Sequence, residues 1–160
     1  MNEEIRDRLA TLPLFEGVSK EGLDDLAMIG QVTRLPTGAR LLSQGEAAGK
    51  TQCLFVILSG HLRASLEIDP AAGKEQVLAR FGPGEEIGEV SFLDRQARVA
   101  TVTSEDTSAV YVLSRTSFEK FAEKHPRASF LILMRIARSL AERLRRTNDE
   151  LVESLRASRN

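Results

Sequence analysis

Three residues in the segment FGPGEEIGEVSFLDRQARVATV, residues 81–102, have the types and spacing to hold a hydroxyl-bearing anion. Gly88 and Glu89 follow a glycine-rich turn, and Arg98 stands nine residues after Glu89. Backbone N–H groups at a helix start attract anions, and an arginine fork can grip a phosphate from the other side. A carboxylate beside that anion is unfavourable unless the ligand offers it a hydroxyl, as a ribose does. The segment predicts a sugar-phosphate site, although Glu and Arg near a turn are more often ordinary surface residues.

The surrounding sequence has the pattern of a β-structure that could position this segment. Between about residues 30 and 114, short β-rich runs alternate with Gly/Pro turns, which is typical of an antiparallel sandwich or roll. A helical turn is expected within residues 88–97. The predicted strands are 31–35, 40–42, 53–58, 62–68, 75–81, 99–104 and 108–113. The predicted turns lie at 36–38, Gly45, Gly49, 59–60, Asp69-Pro70, Gly73 and 82–84.

Helical spacing flanks the β-region on both sides. Residues 3–11 and 19–29 are predicted helices, the second capped by Ser19. A short helix over 117–123 is expected to stop at His125-Pro126, and Arg127 to about Leu155 contains neither proline nor glycine. The predicted fold is therefore mainly β with flanking helices: an antiparallel β-roll, or jelly roll, with short N-terminal helices and a long C-terminal helix.

Apolar residues recur at steps of three or four along the last helix, which indicates a coiled-coil-like seam. We expect the part at Phe130–Met134 to pack on the roll and the later part to pair with a second copy. A helix that folds back along its own domain is the alternative. The predicted organisation is a β-roll with N-terminal helices over 1–126 and, within the same domain, a dimerisation helix over 127–160. The seam residues are Leu133, Ala137, Leu140, Leu144, Thr147, Leu151 and Leu155.

Composition excludes several classes of function. The net charge of −1 gives no overall attraction for nucleic acid or anionic membranes. Seven arginines against four acids in residues 135–159 indicate a solvated helix face, and they do not by themselves make a DNA reader. A charged N-terminus and a single cysteine, Cys53, favour a cytoplasmic protein without a membrane span. His61 and His125 stand apart, so we expect no metal, no cofactor and no catalytic residues.

The run Ile87-Gly88-Glu89-Val90, followed by Arg98-Val99-Ala100-Thr101-Val102, resembles the phosphate-binding cassette of cyclic-nucleotide-binding domains. That family includes bacterial catabolite-activator-type regulators, protein kinase A regulatory subunits and cyclic-nucleotide-gated channels. The resemblance extends over about residues 9–157, without the helix-turn-helix that follows in the activator-type regulators. Comparable residues also stand at Leu14-Phe15, Gly38, Gly45-Glu46, Ser59-Gly60 and Gly82-Pro83-Gly84.

The resemblance implies a role for each residue of the cassette. Glu89 would accept from the ribose 2′-hydroxyl, while Arg98 and the amides around Glu89–Ser91 would hold the cyclic phosphate. Gly88 would permit the close approach, and Ala100 and Thr101 would line the adjoining strand. Ile87, Ser91 and Ala97 depart from the family pattern without removing a ligand group. The implied ligand-binding residues are Gly88, Glu89, Val90, Ser91, Arg98, Val99 and Ala100.

Two further positions concern the base. Val99 stands where members selective for cyclic GMP often carry Thr or Ser, and valine has no hydrogen-bonding group, which favours cyclic AMP. Thr147 and Asn148 match positions that meet adenine in activator-type proteins, where the neighbouring subunit can supply one of them. The alternative is that Thr147 is a polar seam residue and Asn148 is solvated.

The expected function is a cyclic-AMP sensor that transmits ligand binding through its C-terminal helix to a partner protein. One alternative is the sensor half of a Crp/Fnr-type transcription regulator whose DNA-binding domain is not in this chain. Another is a ligand-silent dimerisation module, which the Glu89/Arg98 pair argues against. A cupin-type enzyme would need a histidine-rich metal site that two separate histidines cannot supply.

Overall fold

The computed structural model describes residues 2–47, 52–69 and 71–158 and consists of two four-stranded antiparallel sheets flanked by helices. One sheet has the order β1-β8-β3-β6 and the other β2-β7-β4-β5. This arrangement confirms the predicted β-roll. The predicted turn residues Gly49 and Pro70, and Arg159 of the arginine-rich segment, lie outside the described residues. The strands are β1 Gln31–Leu35, β2 Arg40–Leu42, β3 Cys53–Ser59, β4 Leu62–Asp69, β5 Lys74–Phe81, β6 Glu86–Ile87, β7 Thr101–Ser104 and β8 Ser108–Ser114.

The central strand β3 separates two hydrophobic cores. Successive side chains of a strand point to opposite faces. Leu54, Val56 and Leu58 therefore enter the core shared with the helices, while Phe55 and Ile57 enter the core between the sheets. This two-sided burial explains why the sequence of β3 is a continuous apolar run.

The helices pack on the outer face of the first sheet. Ser19 caps the second helix by accepting from the Gly22 amide at 3.2 Å, as the sequence predicts. Ser114 caps the fourth in the same way at Ser117, so that helix begins two residues earlier than expected. Pro126 opens the fifth helix, because a first-turn position needs no N–H donor. The helices are α1 Asn2–Ala10, α2 Lys20–Ile29, α3 Glu89–Asp94, α4 Arg115–Lys124 and α5 Pro126–Ala157, with a 3₁₀ turn at Pro13–Phe15.

The first turns of α5 pack differently from the sequence prediction. Ile132 and Ile136 are fully buried, but Phe130 and Met134 are 62% and 50% exposed. At about 100° per residue, positions two away from Ile132 lie nearly opposite it on the helix. The prediction that Phe130–Met134 packs on the roll therefore holds for Ile132 but not for Phe130 and Met134.

The later part of α5 extends beyond the core. The helix has 32 residues and is about 48 Å long at 1.5 Å per residue. Leu144, Leu151 and Leu155 of the predicted seam are exposed. An apolar stripe on an exposed helix is typical of a surface that pairs with another helix.

Candidate functional site

A cavity of about 350 Å³ lies between the roll and α5. One wall is the segment Gly88–Val102, called the cassette below. Asn148 is exposed and is absent from the lining found among the described residues. The predicted residues Gly88, Glu89, Val90, Ser91, Arg98, Val99, Ala100 and Thr147 all line the cavity.

The backbone of Gly88 sets the start of α3. Its φ of +81° lies in the left-handed region that favours glycine. A Cβ there would lie 3.0 Å from both Arg98 Nη1 and the carbonyl oxygen of Cys53. Glycine is thus required both for the turn and for the position of the arginine. The first turn of α3 leaves backbone N–H groups without helical partners at the cavity wall.

The cassette is held in place where its chain returns to the sheet. The Arg98 amide donates to Glu46 O at 3.0 Å, and the Gly45 amide donates to Arg98 O at 2.8 Å. Ser91 donates its hydroxyl to Ala97 O at 3.3 Å, so it ties α3 to the returning chain. Regular strand begins only at Thr101, two residues later than predicted.

Arg98 is a buried cation that faces the cavity. It is 8% exposed, and its Nη1 donates to Gly88 O at 3.3 Å and Cys53 O at 3.4 Å. Within the described part of the chain it forms no ion pair with a carboxylate. Burial lowers the pKa of its guanidinium, but arginine stays protonated in proteins. A buried charge without a counter-ion is rare and costly. This position is therefore suited to receive an anion.

Glu89 is the buried acid of the site and is paired with α5. Its residue is 3% exposed, and its Oε1 accepts from Arg143 Nη1 in an ion pair. Burial raises the pKa of the Glu89 carboxyl, and the charge of Arg143 opposes that shift. The Arg143 guanidinium also lies 5.0 Å from the Phe81 ring centroid. One guanidinium thus fastens α5 to the cassette.

Sequence reasoning gave Arg143 no binding role, although it lies in the arginine-rich segment 135–159 and in the helix segment that carries Thr147 and Asn148. Arg143 lies one turn before Thr147, and residues four apart share a helix face. This spacing could have indicated Arg143 as a site residue, because a residue that shares a helix face with a predicted ligand contact is itself a candidate for ligand binding. Its partner Glu89 is 54 residues away and could not be read from local pattern.

The outer end of the cavity is largely apolar. Leu78, Val99 and Leu144 border it and are all more than half exposed. Thr147 and Glu150 of α5 add polar groups there. Apolar walls with a few polar groups are typical of pockets that bind small organic molecules.

Other kinds of site are not evident in the described ranges. They contain no group of three or more His, Cys, Asp or Glu side chains that could hold a metal ion. Nor do these ranges include a helix long and apolar enough to span a bilayer.

Comparison with known proteins agrees with this geometry. The chain is 32% identical over 139 residues to the cyclic AMP receptor protein of Thermus thermophilus, covering 87% of this chain and 60% of that protein. It is 34% identical over 136 residues to glutaminase 1 of Bradyrhizobium diazoefficiens, covering 85% and 21%. The chain therefore spans less than two thirds of these relatives.

A solved structure shows the same fold. The crystal structure of a cyclic nucleotide-binding domain from Methylobacillus flagellatus superimposes with a TM-score of 0.78 at 26% identity. The match covers 96% of this chain and 83% of that one. Residues 32–125 match the cyclic nucleotide-binding domain family as a whole. The chain belongs to the cyclic nucleotide-binding domain family.

Proposed function

We propose that this chain binds cyclic AMP in the cavity between the cassette and α5 and reports that binding through α5. The observation that carries the proposal is Arg98, a buried cation at the cavity wall without a carboxylate partner among the described residues. A cyclic phosphate would supply the missing negative charge, with the amides at the start of α3 on its other side. Gly88 lets the Arg98 guanidinium lie close to the backbone at the start of α3, because a Cβ there would be 3.0 Å from Arg98 Nη1.

The sugar and base follow from the remaining lining residues. Glu89 is a hydrogen-bond acceptor beside the proposed anion position, so a ligand there needs a hydroxyl donor. In a cyclic nucleotide, the ribose 2′-hydroxyl would donate to Glu89. The base then extends along α5 toward Thr147, between Val99 and Leu144. Asn148 would reach a base only from a neighbouring subunit. Val99 has no group to bond guanine, and a relative is named for its cyclic AMP binding, which together favour adenine.

Transmission would use the Arg143–Glu89 pair. A ligand that hydrogen-bonds Glu89 competes with, or reorganises, the contact that fastens α5 to the cassette. A ligand shifts a conformational equilibrium only by its different affinity for the two states. The exposed residues of α5 would pair with the same helix of a second copy, so that a movement of α5 would change how the two helices pack. These residues are Leu144, Leu151 and Leu155. A cytoplasmic partner protein would then read the new helix arrangement.

Isothermal titration with cyclic AMP and cyclic GMP tests the binding. We expect the wild type to bind cyclic AMP more tightly, and Arg98→Ala to lose at least roughly ten-fold in affinity, because a charge-assisted grip is worth about 1.5–3 kcal/mol. Arg145→Ala, an exposed arginine of α5 outside the cavity, is the matched control. A wild type that shows neither heat nor a thermal shift with any cyclic nucleotide refutes the sensor. Equal affinity in Arg98→Ala refutes the cassette assignment.

The helix pairing is tested separately. Analytical ultracentrifugation of the wild type and of Leu151→Glu should give a dimer and a monomer, respectively, since a charge in an apolar seam is disfavoured. Glu153→Gln serves as a control on the same helix. A wild type that sediments as a monomer at high micromolar concentration removes the dimer from the proposal.

A further inference from the structure

A second buried carboxylate, Glu86 of β6, lies beside the site without a complete set of donors. Glu86 is 7% exposed, and among the described residues its Oε1 has no hydrogen-bond partner. The nearest cation is Arg143, whose Nη2 lies 3.7 Å from that oxygen. A buried acceptor without a donor costs free energy, so this oxygen calls for an explanation.

The Arg143 guanidinium spans both carboxylates. Its Nη1 donates to Glu89, while its Nη2 donates to the backbone oxygen of Glu86 at 3.1 Å and approaches Ser139 Oγ at 3.4 Å. The guanidinium is therefore already anchored at residue 86 but hydrogen-bonds the carboxylate of residue 89. A movement of the fork of under 1 Å would bring Nη2 within hydrogen-bonding distance of Glu86 Oε1.

The two carboxylates together need one donor more than the described residues provide. Glu89 accepts from the guanidinium, and Glu86 Oε1 has no donor among those residues. A ligand hydroxyl that donates to Glu89 supplies the missing donor. The guanidinium can then shift toward Glu86, and each buried carboxylate is satisfied.

We propose that Glu86 is a positioning residue for sugar recognition: it receives Arg143 when a ribose hydroxyl takes its place at Glu89. This inference rests on the proposed function, since it assumes a cyclic nucleotide in the cavity. Glu86 touches Arg143 rather than the ligand and does not line the cavity in the described part of the chain. Its effect on binding therefore depends on whether the ligand carries the hydroxyl.

The experiment compares cyclic AMP with 2′-deoxy cyclic AMP by isothermal titration. The wild type should prefer cyclic AMP by roughly ten-fold or more, because a hydroxyl bond to a carboxylate is charge-assisted. Glu86→Gln should reduce that preference about three-fold or more and leave the affinity for the deoxy nucleotide nearly unchanged. Glu142→Gln, an exposed carboxylate next to Arg143 in sequence, should keep the full preference.

Three outcomes overturn the inference. If Glu86→Gln weakens the binding of both nucleotides equally, Glu86 has only a structural role. Glu86→Gln that keeps the wild-type preference shows that Arg143 does not need Glu86. If the wild type binds neither nucleotide, the proposed function and this inference both fail. The first two outcomes refute this inference alone, because cyclic AMP still binds to the wild type. As a second measurement, the Glu86→Gln effect should vanish in an Arg143→Met background, where no guanidinium can be exchanged.

Discussion

The replacement Arg143→Met tests how the acid of the site is kept charged. In the wild type the buried Glu89 carboxyl has its pKa raised by burial, and Arg143 opposes the shift. Methionine is also an unbranched side chain, but it lacks the guanidinium that pairs with Glu89 and lies over the Phe81 ring. Glu89 then faces Glu86 without a cation between them, and its pKa should rise further.

Protonation of Glu89 sets an upper limit to the unfolding free energy that Arg143→Met can remove. Breaking a buried pair costs about 3–5 kcal/mol when the remaining charge stays buried. Glu89 can instead take a proton, which at pH 7 costs about 3.7 kcal/mol for a carboxyl of ordinary pKa 4.3. Arg143 is partly exposed, so water weakens the pair. We therefore expect a loss of about 1–3 kcal/mol of unfolding free energy at pH 7.

The sign of the pH dependence is the decisive part. A carboxyl whose pKa is higher in the folded state binds more protons there than in the unfolded chain, so stability falls as pH rises between the two values. The loss of unfolding free energy caused by Arg143→Met should therefore be smaller at pH 5 than at pH 7. The difference between the two losses should be at most about 2.7 kcal/mol for two pH units.

Urea unfolding of the wild type and Arg143→Met at both pH values measures this difference. Arg138→Met, an exposed arginine on the same helix, is the control and should change stability by less than about 0.5 kcal/mol at either pH. If Arg143→Met loses the same unfolding free energy at pH 5 and pH 7, the reasoning is refuted, because the pKa of Glu89 would not then have changed with the loss of the Arg143 charge.

Three further predictions follow from single contacts. Gly88→Ala should lower both the melting temperature and cyclic AMP affinity, because its Cβ meets Arg98. Gly38→Ala, also at positive φ but with no atom of the described residues within 4 Å of its Cβ, should leave affinity unchanged in titration, and a loss there would point to strain alone. Val99→Thr should raise cyclic GMP affinity relative to cyclic AMP; an unchanged ratio contradicts the base assignment. Lys124 and His125 each donate to Asp25 at 2.7 Å and hold the pKa of its carboxyl below its usual range. That stabilisation is present above about pH 4 and is lost as pH falls further, so the stability difference between wild type and Asp25→Asn in urea unfolding should shrink from pH 5 to pH 3, and a constant difference would refute it.

The strands could be predicted because their signals are local. Gln31–Leu35 and Arg40–Leu42 have the same bounds in sequence and structure, since turn residues mark both ends. The two-residue strand β6 could not be found in this way. Glu86 and Ile87 form a strand only because β3 pairs with them, and both side chains are buried. A glutamate next to Gly-Glu gives no local sign of burial.

The cassette could likewise be located from sequence, because its glycine, acid and arginine lie within eleven residues. The fourth group, Arg143, depends on how α5 docks, and docking is a matter of tertiary packing. Phe130 and Met134 of the same helix show the same difficulty: helical spacing reveals that apolar faces exist, but not which one meets the roll. Here Ile132 and Ile136 meet it.

The docking of α5 connects the proposed site to the helix at two anchors. Arg135 donates to the backbone oxygens of Leu14 and Glu16 in the N-terminal segment, and Arg143 reaches the cassette two turns later on the same helix. The first contact holds Leu14 and Glu16, which are not among the described residues that line the cavity, so a ligand there would not compete for it. The second holds Glu89, the acid that a sugar hydroxyl would meet. Binding would therefore change one anchor and leave the other fixed, so α5 would pivot about its first turns and its exposed apolar end, Leu144 to Leu155, would move the most.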